Sequence, residues 1–275
     1  MKKIAVIGIG AGDPRHVTME AVDALNGADV FFVLDKGPAK QQLLDLRQEI
    51  LDRYIRDHEY RLVHAPDPER DRAAGGNAAA AGAYAEAVTD WRRRRADAYE
   101  QLITTELGDD ETGAFLVWGD PALFDSTLPI LADVASRGVP FDLAVIPGIS
   151  SVSALAARHH IGLNQVGSPV TVTTGRRLAG EWPPGADDVV VMLDSRQAFQ
   201  QYARDDVDIF WGAYLGTPDE ILIAGPLSQV ADRIAAERAE QRERKGWIMD
   251  TYLLRRTAPD RTGPGRLKDL SHRFV

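Results

Sequence analysis

Short apolar runs alternate with longer mixed stretches over roughly the first 160 residues, an order that predicts strands joined by helices. The runs at 4–7, 29–34, 61–65, 113–117 and 141–146 have strand length and are largely apolar, as strands of a sheet covered on both faces must be. Helices are predicted over 38–54, 83–107 and 124–136, and from the turn at 147 to about 159. The segment 66–82, polar and then rich in Gly and Ala, predicts a loop entering the long helix. The whole order predicts a parallel sheet.

The second half has another rhythm. Strands are predicted at 170–174, 189–193, 209–215, 221–224 and 247–254, with helical stretches at 197–204 and 227–244. This strand-rich, mixed order predicts a second α/β domain, so the expected division is 1–149 and 150–275. The tail after Arg256 carries Pro259, Gly263, Pro264 and Gly265 and is expected to pack loosely. No internal repeat is evident.

The junction after the first strand changes the picture most. In IAVIGIGAGDP, Gly8, Gly10 and Gly12 bring the backbone round a tight turn, and Asp13-Pro14 predicts a capped helix start. A dinucleotide-binding turn reads GxGxxG and leaves a helix N-terminus facing a pyrophosphate. Here Asp13 stands where the last glycine belongs, and its charge would occupy the place of a phosphate. The ligand expected at this turn is neutral or cationic. Asp35, an acid after the second strand, favours a rival reading as a nicotinamide-dependent oxidoreductase; Asp13 counts against it.

Two more turns carry chemistry, each after a predicted strand, where ligands bind in open α/β sheets. VWGDPALFDST repeats the Gly-Asp-Pro triplet at Gly119-Asp120-Pro121, which would put two carboxylates on one rim. VIPGISS places Ser150 and Ser151 at the start of the next helix, where they either cap it or touch a ligand. For Asp13 and Asp120 the plain alternative is likewise capping and turn formation. YLGTPDEILIAGPL adds Gly216 and Gly225 on either side of a strand in the second half.

Composition narrows the function. The 275 residues suffice for two domains, and 44% hydrophobic with 27% charged residues is ordinary for a globular protein. The absence of cysteine excludes disulfides, thiolate catalysis and cysteine metal sites, and fits a cytoplasmic protein. No metal site is read from the sequence. No apolar run approaches the ~20 residues of a membrane span, and the opening run is too short for a signal peptide. The formal net charge of -9 argues against nucleic acid as a partner. Arg92-Arg93-Arg94-Arg95, in a helical stretch with Trp91 and Tyr99, is expected to be a solvated basic face.

Taken in order, GxGxGDPxxxT at Gly8 to Thr18, GDPxxF at Gly119 to Phe124, PGISS at Pro147 to Ser151, VVVML at Val189 to Leu193 and GTPDE at Gly216 to Glu220 resemble the tetrapyrrole methylases. The resemblance extends over about residues 3–256 and implies two α/β/α domains with S-adenosylmethionine in the cleft between them. It implies cofactor contacts from Trp118, Gly119, Asp120, Leu123, Ser150, Ser151, Met192, Gly216 and Ala224. The segments LDKGPAK, ARHHIGLNQVGSPVTVTTGRRL and WIMDTYLLRR resemble one branch of the family. That branch implies methylation of precorrin-5 at C1 with release of acetate in aerobic cobalamin biosynthesis, leaving S-adenosylhomocysteine; another precorrin methylation is the alternative. A homodimer is implied as well.

Acetate release needs a base beside a water, and Asp13, Asp120 and His64 are the candidates by position. The tetrapyrrole is a polycarboxylate, so local basic groups are candidate contacts: Lys36 and Lys40, Arg176 and Arg177, and the Arg158-His159-His160 run. A non-catalytic tetrapyrrole-binding protein is the reading without turnover.

Overall fold

In the computed structural model, residues 1–35, 41–56, 58–68 and 81–257 are described. The chain divides into two compact units, Met1–Ser150 and Ser151–Val275.

The first unit is built around β1 (Lys3–Gly8), which pairs in parallel with β4 (Thr112–Val117) on one side and β5 (Asp142–Ile146) on the other. With β2 (Val30–Asp35) and β3 (Arg61–Pro66) the sheet runs β3-β2-β4-β1-β5. Successive side chains on a strand face opposite ways. Ile4, Val6, Phe32 and Phe115 therefore enter one apolar layer with Leu102, Ile103 and Leu131. Ala5, Ile7, Phe31 and Ala114 enter the other with Ala21, Leu25 and Leu51. The helices supplying these layers are α1 (Met19–Asn26), α2 (Gln41–Tyr54), α3 (Ala81–Gln101), which runs on into a π-helical turn Leu102–Glu106, and α4 (Thr127–Ser136). Each fully buried Leu, Ile or Phe contributes about 1.5–3 kcal/mol.

The second unit opens with α5 (Ser151–His159), followed by β6 (Val170–Thr174), a one-turn α6 (Gly175–Leu178) and β7 (Asp188–Met192). Then come β8 (Val207–Ala213), β9 (Ile221–Pro226), α7 (Leu227–Lys245) and β10 (Asp250–Arg256). The sheet order is β6-β7-β10-β8-β9; β6 and β7 are parallel and every other pair is antiparallel. Trp211, Phe199, Tyr252 and Ile234 fill its core. The buried charges are satisfied: Arg238 pairs with Asp250, which also accepts from Trp211 Nε1 at 2.8 Å, and Tyr252 donates to Asp194 at 2.6 Å.

Four local expectations need correction. Asp13-Pro14 opens only a 3-10 turn, Pro14–His16; the α-helix starts later, where Thr18 Oγ1 accepts from Ala21 N at 3.1 Å. The helix expected from 124 starts at Thr127, because Phe124 adopts φ 52 and Asp125 accepts from Thr127 N at 2.7 Å. The stretch 197–204 is a 3-10 turn, Ala198–Tyr202, entered through Gln197 at φ 58. The arginine run is not uniformly solvated. Arg93 and Arg94 bond to exposed Asp90, but Arg95 is buried, pairs with Asp67 at 2.8 Å and lies 4.8 Å from the Trp91 ring. Helical geometry turns one of four neighbouring arginines inward, and Trp91 and Tyr99, one turn either side, flank it.

Among the described residues no helix is long and apolar enough to cross a membrane, and no group of three His, Cys, Asp or Glu residues could hold a metal.

Candidate active site

The turns leaving β1, β4 and β5 interlock through their main chains. Gly10 and Gly119 form a two-way bridge, with Gly119 N donating to Gly10 O at 2.8 Å and Gly10 N to Gly119 O at 3.3 Å. A Cβ on Gly148 would lie 2.1 Å from Gly119 O, and one on Gly8 would lie 2.6 Å from Gly148 N. No side chain fits in that junction. Gly10 and Gly119 have φ 82 and 71, where a Cβ is also strained.

Asp120 fastens two of these turns. Its Oδ1 accepts from Ala122 N at 2.8 Å, shaping its own turn, and its Oδ2 accepts from Gly148 N at 2.9 Å. Each oxygen has a further lone pair. Asp13 is more fully engaged. Its carboxylate accepts from Arg15 N at 2.9 Å, from Arg15 Nε at 3.1 Å to each oxygen and from Arg15 Nη2 at 2.7 Å. The Arg15 guanidinium holds the Asp13 carboxyl down at about 2. A carboxylate that weakly basic is a poor proton acceptor near neutrality, so the geometry gives Asp13 the role of cap and ion-pair partner.

The rim carries one unmet donor. Trp118, at the end of β4, packs partly buried against the Ile7 and Phe31 layer, and its buried Nε1 has no hydrogen-bond partner among the described residues. Leu123, partly buried, closes the Asp120 turn through its N–H at 3.1 Å. Ser150 is buried at the end of the β5 turn. The structure thus gathers Trp118, Gly119, Asp120 and Leu123 on one turn, bonded to the PGISS turn by Asp120.

In the second unit the candidates cluster at one end of the sheet. Met192 ends β7 between Thr174 of β6 and Thr251 of β10, and Ser151 Oγ lies 3.0 Å from Thr251 Oγ1. Gly216, at φ 79, lies in the connection leaving β8 at the same end, where its N–H donates to Glu220 at 2.7 Å. Exposed Arg176 and Arg177 follow β6 directly, beside that end. Ala224 is set apart, further along β9 opposite Phe210. Thr251 was not legible as a member: its tie to Ser151 joins residues far apart in the chain.

Other candidates fall elsewhere. Lys36 and Lys40 lie outside the described residues. His64 is exposed on β3. Arg158 pairs with Glu220 at 3.0 Å, and His159, its pKa lowered by burial, bonds to Trp211 O at 3.0 Å, so both are engaged within their own unit.

This chain's turn does not suit a pyrophosphate. The Gly10 amide faces Gly119, the Asp13 charge stands at the turn, and only three residues of 3-10 helix follow.

Comparison with known proteins agrees with that geometry. The sequence profile of the Tetrapyrrole (Corrin/Porphyrin) Methylases matches residues 3–231. A Sinorhizobium sp protein described as precorrin-6A synthase [deacetylating] is 49% identical over 259 residues, 94% of this chain and 97% of that one. A crystal structure of a cobalamin synthesis related protein from Corynebacterium diphtheriae superposes with a TM-score of 0.77 at 36% identity, covering 93% of this chain and 98% of that one. Uroporphyrin-III C-methyltransferase of Thermus thermophilus, solved with S-adenosylhomocysteine, shares the fold at a TM-score of 0.52 and 18% identity, covering 92% of this chain and 96% of that one.

Proposed function

The chain belongs to the tetrapyrrole methylases, and on that premise we propose that it methylates precorrin-5 at C1 and releases acetate, using S-adenosylmethionine and giving precorrin-6A. The observation that carries the substrate is near end-to-end similarity to the Sinorhizobium precorrin-6A synthase. A nicotinamide-dependent oxidoreductase is set aside by the family match and by the shape of the β1 turn.

The rim suits the cofactor. S-adenosylmethionine carries no phosphate, and the turns offer close-packed glycine backbone, an unmet Trp118 N–H and an Asp13 charge already matched by Arg15. Trp118, Gly119, Asp120, Leu123 and Ser150 would hold it from the first unit, and Ser151, Met192, Gly216 and Ala224 from the second. When bound, it supplies a methyl group already activated on a sulfonium. The chain's contribution to that transfer is orientation, worth on the order of 7–11 kcal/mol when two reactants are well aligned.

Acetate release asks more of the side chains. Asp120 is the better placed acid to orient the water, since its oxygens keep acceptor capacity that Arg15 takes from Asp13. Lys36, Lys40, Arg176 and Arg177 would pair with the substrate's carboxylates. The enzyme would act as a cytoplasmic homodimer without a nucleic-acid partner, a reading supported by the family resemblance, the lack of cysteine and the net charge of -9.

The test is a single-turnover reaction of the purified protein with precorrin-5 and methyl-labelled S-adenosylmethionine. Mass spectrometry is expected to show one labelled methyl gained, the acetyl group lost and one equivalent of acetate. An unlabelled product with no S-adenosylhomocysteine formed would overturn the assignment.

A further inference from the structure

Among the described residues, three arginines that turn toward the interior each meet an acid. Arg95 has Asp67, Arg238 has Asp250 and Arg255 has Asp188. Arg47, on α2, has no ion pair among the described residues; its one hydrogen bond is a long 3.5 Å contact from Nη1 to Leu43 O on its own helix. Desolvation pulls its guanidinium below the ordinary arginine range, and the groups it feels there are Tyr99, Asp125 and Arg95. Asp125 is occupied as the acceptor for Thr127 N, and Arg95 repels. Arg47 is half-buried, and a guanidinium with no acid paired to it among the described residues can meet one that arrives from outside the chain.

Arg47 also lines an opening. A cavity of ≈ 220 Å³ lies between α2 and the first sheet, walled by Phe31, Leu44, Leu62 and Leu116, with Asp45, Arg47, Gln48 and His64 as its polar lining. Its walls come from β2, β3 and β4 of the same sheet whose β4 runs into the Gly119-Asp120 turn. Apolar walls around one guanidinium fit a carboxylate carried on a short hydrocarbon arm. Arginine meets such a group with two parallel N–H bonds, and the amide of Gln48 and the imidazole of His64 offer further donors.

We propose that Arg47, in the cavity beside Gln48 and His64, receives one of the peripheral carboxylates of the tetrapyrrole. The proposal rests on the precorrin-5 reading and adds a contact that sequence motifs did not single out. Arg47 binds and orients; it takes no part in bond making.

The test compares Arg47→Met and Arg47→Lys with the parent enzyme. Met keeps the hydrocarbon volume without charge, and Lys keeps charge without the planar fork. Arg47→Met is expected to raise KM for precorrin-5 at least tenfold, change kcat less than threefold and leave S-adenosylhomocysteine affinity unchanged by calorimetry; Arg47→Lys should recover part of the KM. Thermal melting without substrate supplies the second readout. Removing a half-buried cation that has no ion pair among the described residues should leave Tm unchanged or raise it, whereas loss of an internal ion pair would lower it. Unchanged KM in both variants, or a lowered Tm in both, overturns the proposal. Failure of the parent enzyme to turn over precorrin-5 would instead strike the underlying reading, and is seen before any variant is made.

Discussion

Asp120 accepts a hydrogen bond from the backbone N–H of Gly148 at 2.9 Å, and so ties the turn after β4 to the turn after β5. Between those turns the main chains approach so closely that a methyl group at residue 148 would lie 2.1 Å from Gly119 O.

Gly148→Ala should therefore force the two turns apart. Overpacking of this kind costs about 1–3 kcal/mol, and here the obstacle is backbone, which yields least. Calorimetry is expected to show S-adenosylhomocysteine binding weakened at least tenfold, with a cooperative urea transition retained. Normal binding would mean that the junction has slack the geometry does not suggest.

Asp13 makes the stability of the first turn depend on acid. Its folded pKa, about 2, lies below the ordinary carboxyl value of 3.8. A group depressed on folding stabilises above its unfolded pKa, and that contribution fades as pH falls through the folded pKa. Since Arg15 is largely exposed, solvent screens the pair and its contribution near neutrality is modest. Asp13→Asn should be modestly less stable at pH 7, with the gap closing between about pH 4 and pH 2 in urea titrations. The same variant should release acetate at the parental rate; methylated product retaining its acetyl group would return Asp13 to catalysis.

The four adjacent arginines should separate sharply under mutation. Arg95→Ala strands Asp67 and is expected to cost about 3–5 kcal/mol. Arg93→Ala, which breaks only exposed pairs with Asp90 and Asp97, should stay within about 0.5 kcal/mol. Urea denaturation of both variants tests the contrast; equal losses would contradict the buried placement of Arg95.

Replacing Arg176 and Arg177 together by alanine should raise KM for precorrin-5 more than it lowers kcat. Contacts made equally in the ground and transition states affect binding rather than turnover. Cofactor titration of the double variant should match the parent, and an unchanged KM would assign both side chains to solvated surface.

The strands were legible because their signal is local. Val170–Thr174 matches the sequence expectation end for end, and Asp188–Met192 differs by one residue, since both are compact apolar or β-branched runs bounded by polar turns. Helix starts were less legible because two good caps compete within a few residues. Asp13 followed by Pro14 satisfies the cap rule, yet the chain spends it on one 3-10 turn and begins α1 at the second cap, Thr18. The glycine turns were visible as motifs, but their mutual contact was not, nor was the partnership of Ser151 with Thr251. Charge alone could not distinguish Arg95 from its neighbours, or reveal that Arg47 has no ion pair among the described residues; both depend on what the other elements bring to them.

The position of β1 has a consequence for how the chain is made. It precedes the other four strands of its sheet in the chain, yet its two neighbours in the sheet, β4 and β5, begin at Thr112 and Asp142. A nascent chain that has reached α4 can give β1 one neighbour and must leave its other edge open. Such an unpaired apolar strand invites pairing with other chains during translation. Completion of β5 closes that edge in the same stroke that delivers Gly148 to Gly8 and Gly119, so the last strand to join the sheet also locks the three glycine turns together.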